Sequence, residues 1–266
     1  MPFHQKDTIR YHTFELLDDA GVPHASISRQ GGVSPEPWAS LNLGGTVGDE
    51  RPRVLENHRR AFRALSRPFE SRYDAWQVHG VEVVCADAPR PIDQPHARAD
   101  AILTDAPEVT VFMRFADCVP IFLYDPVRQV VGLVHAGWKG TVNQAARVAV
   151  QTMVERYRSQ PRDILAGIGP SIGPHHYEVG PEVVELVRKA FGADASGLLL
   201  GANGSGAKSA VKFDLWNANR LSLEAAGVRQ IEVAEICTAC HPDMWYSHRG
   251  ENGKTGRFGA LIGLSR

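Results

Sequence analysis

Residues Val109–Gly140 read VTVFMRFADCVPIFLYDPVRQVVGLVHAGWKG. Three apolar runs stand in this stretch, Val109–Phe115, Val119–Tyr124 and Val130–Val134, each of strand length and rich in β-branched or aromatic side chains. The first two flank Ala116-Asp117-Cys118, and the third ends at His135. Strands that follow one another through such short turns do not alternate with helices as a doubly wound parallel sheet requires. They predict a mixed sheet, or two sheets with helices outside.

Outward from this centre the pattern stays mixed. A helix is expected from about Lys139 to Tyr157, because Val142, Ala145, Ala146, Ala149, Met153 and Tyr157 recur at spacings of three and four. Upstream, Asp49–Leu65 reads as a helix, and Tyr73–Val78 and Val81–Ala86 as strands broken at His79-Gly80. His12–Leu17 and His24–Ser28 read as an N-terminal hairpin. Downstream, Ile164–Ile168, Ile231–Ile236 and Phe258–Leu264 are expected strands, and Glu182–Phe191 and Phe213–Ala226 expected helices. The polar, glycine-rich Gly201–Lys208 reads as a loop, or as a flap over a site. Without an internal repeat or a long linker, residues 1–266 are expected to form one α/β (α+β) domain.

Bulk composition excludes several classes. The net charge of −1, from 29 basic and 30 acidic side chains, gives no broad field for nucleic acid or an anionic membrane. No run approaches the ~18 apolar residues of a membrane span. The N-terminus carries charges where a signal peptide needs an apolar core, so a cytoplasmic location is expected. The four cysteines are then expected as reduced thiols, available to metal or nucleophilic chemistry rather than stapling. No obligate protein partner is evident.

Three segments share one local grammar, an apolar strand followed by a ligand-type side chain with glycine or proline within two residues. They are Trp76–Gly80, Phe115–Pro120 and Val134–Gly140. His79, Cys118 and His135 would therefore sit at strand ends, where side chains converge. Two imidazoles and a thiolate suit zinc with a fourth position open, and copper is also possible. Taken singly, each of the three reads more readily as a packed residue than as a ligand, because no compact HxxxH or CxxC spacing joins them.

Cys237-Thr238-Ala239-Cys240-His241 matches the c-type haem pattern, but haem attachment needs an export route, and a structural zinc needs a second ligand pair that the sequence does not place nearby. Buried reduced thiols are the expectation. Gly167-Ile168-Gly169-Pro170 lacks the third glycine of a dinucleotide turn, and Gly253-Lys254-Thr255 lacks the first glycine of a P-loop. The arginines at 51, 53, 59, 60, 63, 67 and 72 read as a solvated helix face, whereas Arg249 and Arg257 lie among glycines that would let them approach a phosphate or carboxylate.

Taken together, SLNLGGTVGD, WQVHG, ADAILTD, FADCVPI, VHAGWKG, GIGPSIGPHHYEVG and SHRGENGKTGRFG resemble, in order and spacing, the YfiH-type laccase-domain family, from Ser40 to Gly259. The resemblance implies an α/β/β/α arrangement and a His–Cys–His metal centre on His79, Cys118 and His135, usually zinc. It implies purine nucleoside phosphorolysis (adenosine, inosine, guanosine, methylthioadenosine) with adenosine deamination, in a family first described as copper-dependent polyphenol oxidases. The chain departs from the pattern at His175-His176-Tyr177, where many relatives carry Cys-Cys-Tyr. It departs again at Phe115, where many carry Thr, and at Gly250, where many carry a second arginine.

On that basis Arg249, Arg257 and Arg29 are candidates for phosphate, Asn42 and Gln77 for ribose or base edges, and Asp117 for orienting a ligand. The alternatives are a laccase-like oxidase, poorly supplied because none of the 11 histidines forms an HxH pair, a Cys118–His135 hydrolase, and a non-catalytic metal-binding protein.

Overall fold

A computed structural model describes residues 2–201 and 210–265, so all of the glycine-rich loop except Gly201 lies outside the described residues. The strands in chain order are β1 (Phe3–Lys6), β2 (Ile9–His12), β3 (His24–Ile27), β4 (Arg72–Asp74), β5 (Val83–Cys85), β6 (Ala101–Thr104) and β7 (Thr110–Phe115). They continue as β8 (Val119–Asp125), β9 (Val130–Ala136), β10 (Leu165–Ile168), β11 (Leu199–Leu200), β12 (Lys212–Phe213), β13 (Gln230–Val233) and β14 (Phe258–Gly263). The helices are α1 (Glu15–Asp19), α2 (Arg51–Ala64), α3 (Trp138–Val142), α4 (Ala145–Tyr157), α5 (Pro181–Phe191), α6 (Ala195–Leu198) and α7 (Leu215–Ala225).

Two mixed six-stranded sheets carry the fold, ordered β1-β2-β3-β14-β7-β4 and β13-β10-β8-β9-β6-β5. Side-chain alternation sorts their faces. On β7, Val111, Met113 and Phe115 pack with Phe122, Tyr124, Val131 and Leu133 of β8 and β9 in the layer between the sheets. Phe112, pointing the other way, joins Ala61 and Phe62 of α2. Ile121, Leu123 and Val134 meet Ala146, Ala149 and Met153 of α4 on the far side. This is the expected α/β/β/α layering, with helices covering both outer faces. None of the described helices is long and apolar enough to cross a membrane.

The structure corrects three local expectations. The N-terminal hairpin is β1–β2, and Glu15–Asp19 is a helical turn rather than strand. Phe14 and Leu17 are both fully buried at a spacing of three, a fit to helix that the short run could not separate from strand. The expected Lys139–Tyr157 helix is two helices, broken where Gln144 takes a left-handed φ of 64°. Apolar periodicity runs through the break because Val142 and Ala145 face the same core. Finally, Arg67 and Arg72 are not solvated. Arg67 donates to Thr110 and to the carbonyls of Leu264 and Pro107, and Arg72 pairs with Asp74.

Chain crossings between the sheets set up the site. The β4–β5 crossing carries His79, the β7–β8 crossing carries Asp117 and Cys118, and the β13–β14 crossing carries Cys237 through Arg257.

Candidate metal centre and its cavity

The ligand atoms of His79, Cys118 and His135 all lie within 4.8 Å of one another. His135 is the next-to-last residue of β9, buried, and its register partner Pro120 brings it beside Cys118. His79 reaches them from a left-handed turn with φ of 60°, a costly conformation for a residue with a Cβ. Asp100 holds that turn. Its carboxylate accepts the backbone N–H groups of Val78 (3.1 Å), His79 (2.9 Å) and Gly80 (2.7 Å). The same carboxylate accepts Nδ1–H of His135 at 2.8 Å, which leaves Nε2 of that ring for the centre.

Asp117, expected to orient a ligand, does not play that part. Its φ is 82°, and its carboxylate takes the Thr238 hydroxyl at 2.7 Å and the Arg249 backbone N–H at 2.6 Å. Asp117 thus ties the β7–β8 crossing to the β13–β14 crossing, while Asp100 does the orienting. The sequence offered no signal for Asp100 beyond its place in the ADAILTD segment, just before β6.

The electrostatics follow from this geometry. Burial alone would raise the Cys118 thiol, but the neighbouring His135 and His79 pull it down to about 6. Burial would lower His135, yet the Cys118 thiolate and the Asp100 carboxylate raise it to about 9. A metal-free centre is therefore a thiolate–imidazolium pair. A cation at the same point would replace the proton on His135 and keep the thiolate.

The donor set fits a transition metal. Two imidazoles and a thiolate converge, an oriented carboxylate stands behind one imidazole, and backbone is kept clear of the centre. A Cβ at Gly137 would stand 2.9 Å from Cys118 Sγ and 3.2 Å from a His79 ring carbon, so only glycine leaves the centre its room.

The centre opens on a cavity of about 1120 Å³, whose walls include Trp76, Trp138, Tyr177, His248, Arg249 and Arg257. Arg249 lies over the Tyr177 ring at 5.2 Å and donates to the Glu178 carbonyl. Burial and the charge of Cys118 hold the Tyr177 hydroxyl protonated, well above the usual phenol range. A second polar group lines the same cavity, in which Asp74 accepts from Arg72 (2.9 Å), Arg90 (2.7 Å) and Arg114 (3.1 Å). One carboxylate against three guanidinium groups leaves that wall positive.

Other expected substrate residues fall elsewhere. Arg29 is not part of the cavity wall; it is clamped by Glu251 at 3.0 Å and by the Ala39 and Pro242 carbonyls, over the face of Tyr246. Asn42 is fully buried and binds backbone, accepting from the Gly44 and Arg257 N–H groups. Gln77 does line the cavity, but its amide is engaged at both ends by the backbone of Arg114. Tyr177, Trp138 and the Asp74 group were not among the expected substrate residues.

The fold and this centre define a class: a two-sheet α/β/β/α protein whose chain crossings build a His–Cys–His donor set at the floor of a large cavity. The chain belongs to the laccase-like YfiH family, since the family model described as multi-copper polyphenol oxidoreductase laccase matches residues 23–265. It is 39% identical over 245 residues to the purine nucleoside phosphorylase YlmD of Bacillus subtilis, covering 89% of this chain and 86% of that one. It is 40% identical over 245 residues to a purine nucleoside phosphorylase of Deinococcus radiodurans, covering 92% and 90%. The crystal structure of the hypothetical protein YfiH of Bacillus licheniformis superposes with a TM-score of 0.90 at 33% identity, covering 99% of each chain.

Proposed function

We propose that the chain is a purine nucleoside phosphorylase acting on adenosine, inosine, guanosine and methylthioadenosine, and that it deaminates adenosine at the same cavity. The observation that carries this reading is the meeting, in one cavity, of the His79–Cys118–His135 donor set with the guanidinium groups of Arg249 and Arg257. That cavity sits in a chain whose relatives bear the phosphorylase name.

In phosphorolysis a phosphate oxygen bonds to C1′ of the ribose as the bond from C1′ to the purine nitrogen breaks, its electron pair leaving with the base. Arg249 and Arg257 would hold the phosphate by charge-assisted hydrogen bonds. The indole faces of Trp76 and Trp138 offer stacking surfaces for the purine. The Tyr177 hydroxyl, held protonated, can donate a hydrogen bond to the departing base, and the His248 imidazole is a wall group that can pass it a proton. His79, Cys118 and His135 would hold a zinc ion, which would supply the Lewis acidity and water activation that deamination at purine C6 requires.

One observation favours a second reading. Asp100, His135 and Cys118 stand in the order of an orienter, a base and a nucleophile, as a Cys–His hydrolase would need. A chromatographic assay of adenosine with and without phosphate, run beside metal analysis, separates the two. Phosphate-dependent release of adenine by metal-loaded protein supports the phosphorylase. Turnover indifferent to both metal and phosphate supports the hydrolase.

A further inference from the structure

The motif set aside as buried thiols has partners that sequence spacing did not reveal. His175, His176, Cys237 and Cys240 bring four ligand atoms within 4.8 Å of one another. His175 Nε2 is 3.0 Å from Cys240 Sγ, and His176 Nδ1 is 3.5 Å from Cys240 Sγ and 3.6 Å from Cys237 Sγ. Tetrahedral zinc with Zn–S of about 2.3 Å and Zn–N of about 2.0–2.1 Å sets its nitrogen and sulfur ligands about 3.5 Å apart. The three separations scatter about that value.

We propose that His175, His176, Cys237 and Cys240 form a second, structural zinc site. Four protein ligands close the coordination shell, in contrast to the three of the cavity centre, and two thiolates balance the charge of the ion. The Gly173 N–H donates to Cys237 Sγ at 3.2 Å, an outer hydrogen bond of the kind that fixes the position of a ligating side chain. The cysteines are spaced C-x-x-C, and the Cys240 N–H closes the turn on the Cys237 carbonyl at 3.2 Å. Backbone pairing of Ser171 with Ile236 and Thr238 delivers the histidine segment to this turn. His175, His176 and Cys240 are exposed, so an ion reaches them without unfolding.

The site would brace the cavity wall. Thr238, inside the C-x-x-C turn, donates to Asp117, the neighbour of Cys118. His176 directly precedes Tyr177, over which Arg249 lies. An ion joining residues 175–176 to residues 237–240 therefore fixes the segment that leads into Tyr177 against the turn that holds Asp117, without touching substrate.

Metal analysis of reduced, zinc-loaded and desalted protein tests this. The wild-type chain is expected to hold two zinc ions, Cys118→Ser one, Cys240→Ser one, and the double variant none. Cobalt substitution gives a second reading. Cys118→Ser should keep about two thirds of the thiolate-to-cobalt absorption, because two of three Co–S bonds remain. One zinc per wild-type chain, unchanged in Cys240→Ser, would overturn the proposal, whether or not Cys237 and Cys240 oxidise to a disulfide. Cys240 is exposed, so its replacement by serine tests the site without disturbing a core.

Discussion

Asp100 and His135 are joined at 2.8 Å, carboxylate to Nδ1–H, and the same carboxylate gathers the backbone of the turn that carries His79. Two of the three ligands of the candidate centre are thus oriented by one side chain that does not itself line the cavity. Asp100→Asn keeps the size but puts an amide N–H₂ where acceptors are needed. Metal affinity at the cavity centre should fall roughly 10–100-fold. Competition with a chromogenic chelator on the Cys240→Ser background measures this centre alone, and unchanged affinity would contradict the role.

Gly137→Ala places a methyl 2.9 Å from Cys118 Sγ, inside normal contact distance. The expected result is loss of metal from the cavity centre and of turnover, with far-UV circular dichroism retained. Gly140→Ala is the control, since its Cβ would meet nothing closer than 3.4 Å. Equal behaviour of the two variants would show that room at the centre is not limiting.

In the metal-free chain, Cys118 should react with iodoacetamide as a thiolate formed near pH 6. The direction is fixed by its partners, because His135 and His79 favour the charged form. The rate should therefore rise as pH increases through about 6, well below the usual thiol value of about 8.5. Peptide mass spectrometry separates Cys118 from the other three cysteines. A midpoint above 8 would mean that the imidazolium does not face the sulfur.

Two of the three arginines assigned to phosphate from sequence now part company. Arg249→Ala should raise the KM for phosphate roughly tenfold or more, the loss expected of a hydrogen bond to a charged group, while adenosine deamination without phosphate persists. Arg29→Ala should leave both KM values alone and lower the melting temperature, because it removes the partner of Glu251 and a guanidinium stacked on Tyr246 at 4.3 Å. A phosphate effect confined to Arg29→Ala would reverse the assignment.

These contrasts show what the chain made readable. The β7, β8 and β9 runs were plain because each is apolar on both faces, lying between a sheet and a helix layer. His79, Cys118 and His135 stood out because each follows an apolar run and has glycine or proline within two residues, although β4 ends five residues before His79 and Pro120 lies inside β8. Asp100 did not, since its work is done on residues 20 to 35 positions away. The His175–Cys240 group was hidden for the same reason. Its halves lie 61 to 65 residues apart, and the pairing of Ser171 with the chain around Cys237 unites them. Arg29 and Asn42 read as ligand-binding by residue type, yet the backbone of neighbouring loops and the carboxylates of Glu251 and Asp49 take up their hydrogen bonds.

Turnover of adenosine by chelator-treated wild-type protein, in phosphate, tests the central claim most directly. The account predicts that deamination of adenosine, read as inosine and hypoxanthine, is lost with the metal and returns as zinc is added back. It predicts too that Cys118→Ser recovers nothing under the same addition, since a neutral serine hydroxyl ligates zinc poorly. Full turnover by metal-free protein would contradict it, and would leave Cys118 as a nucleophile activated by His135 and Asp100.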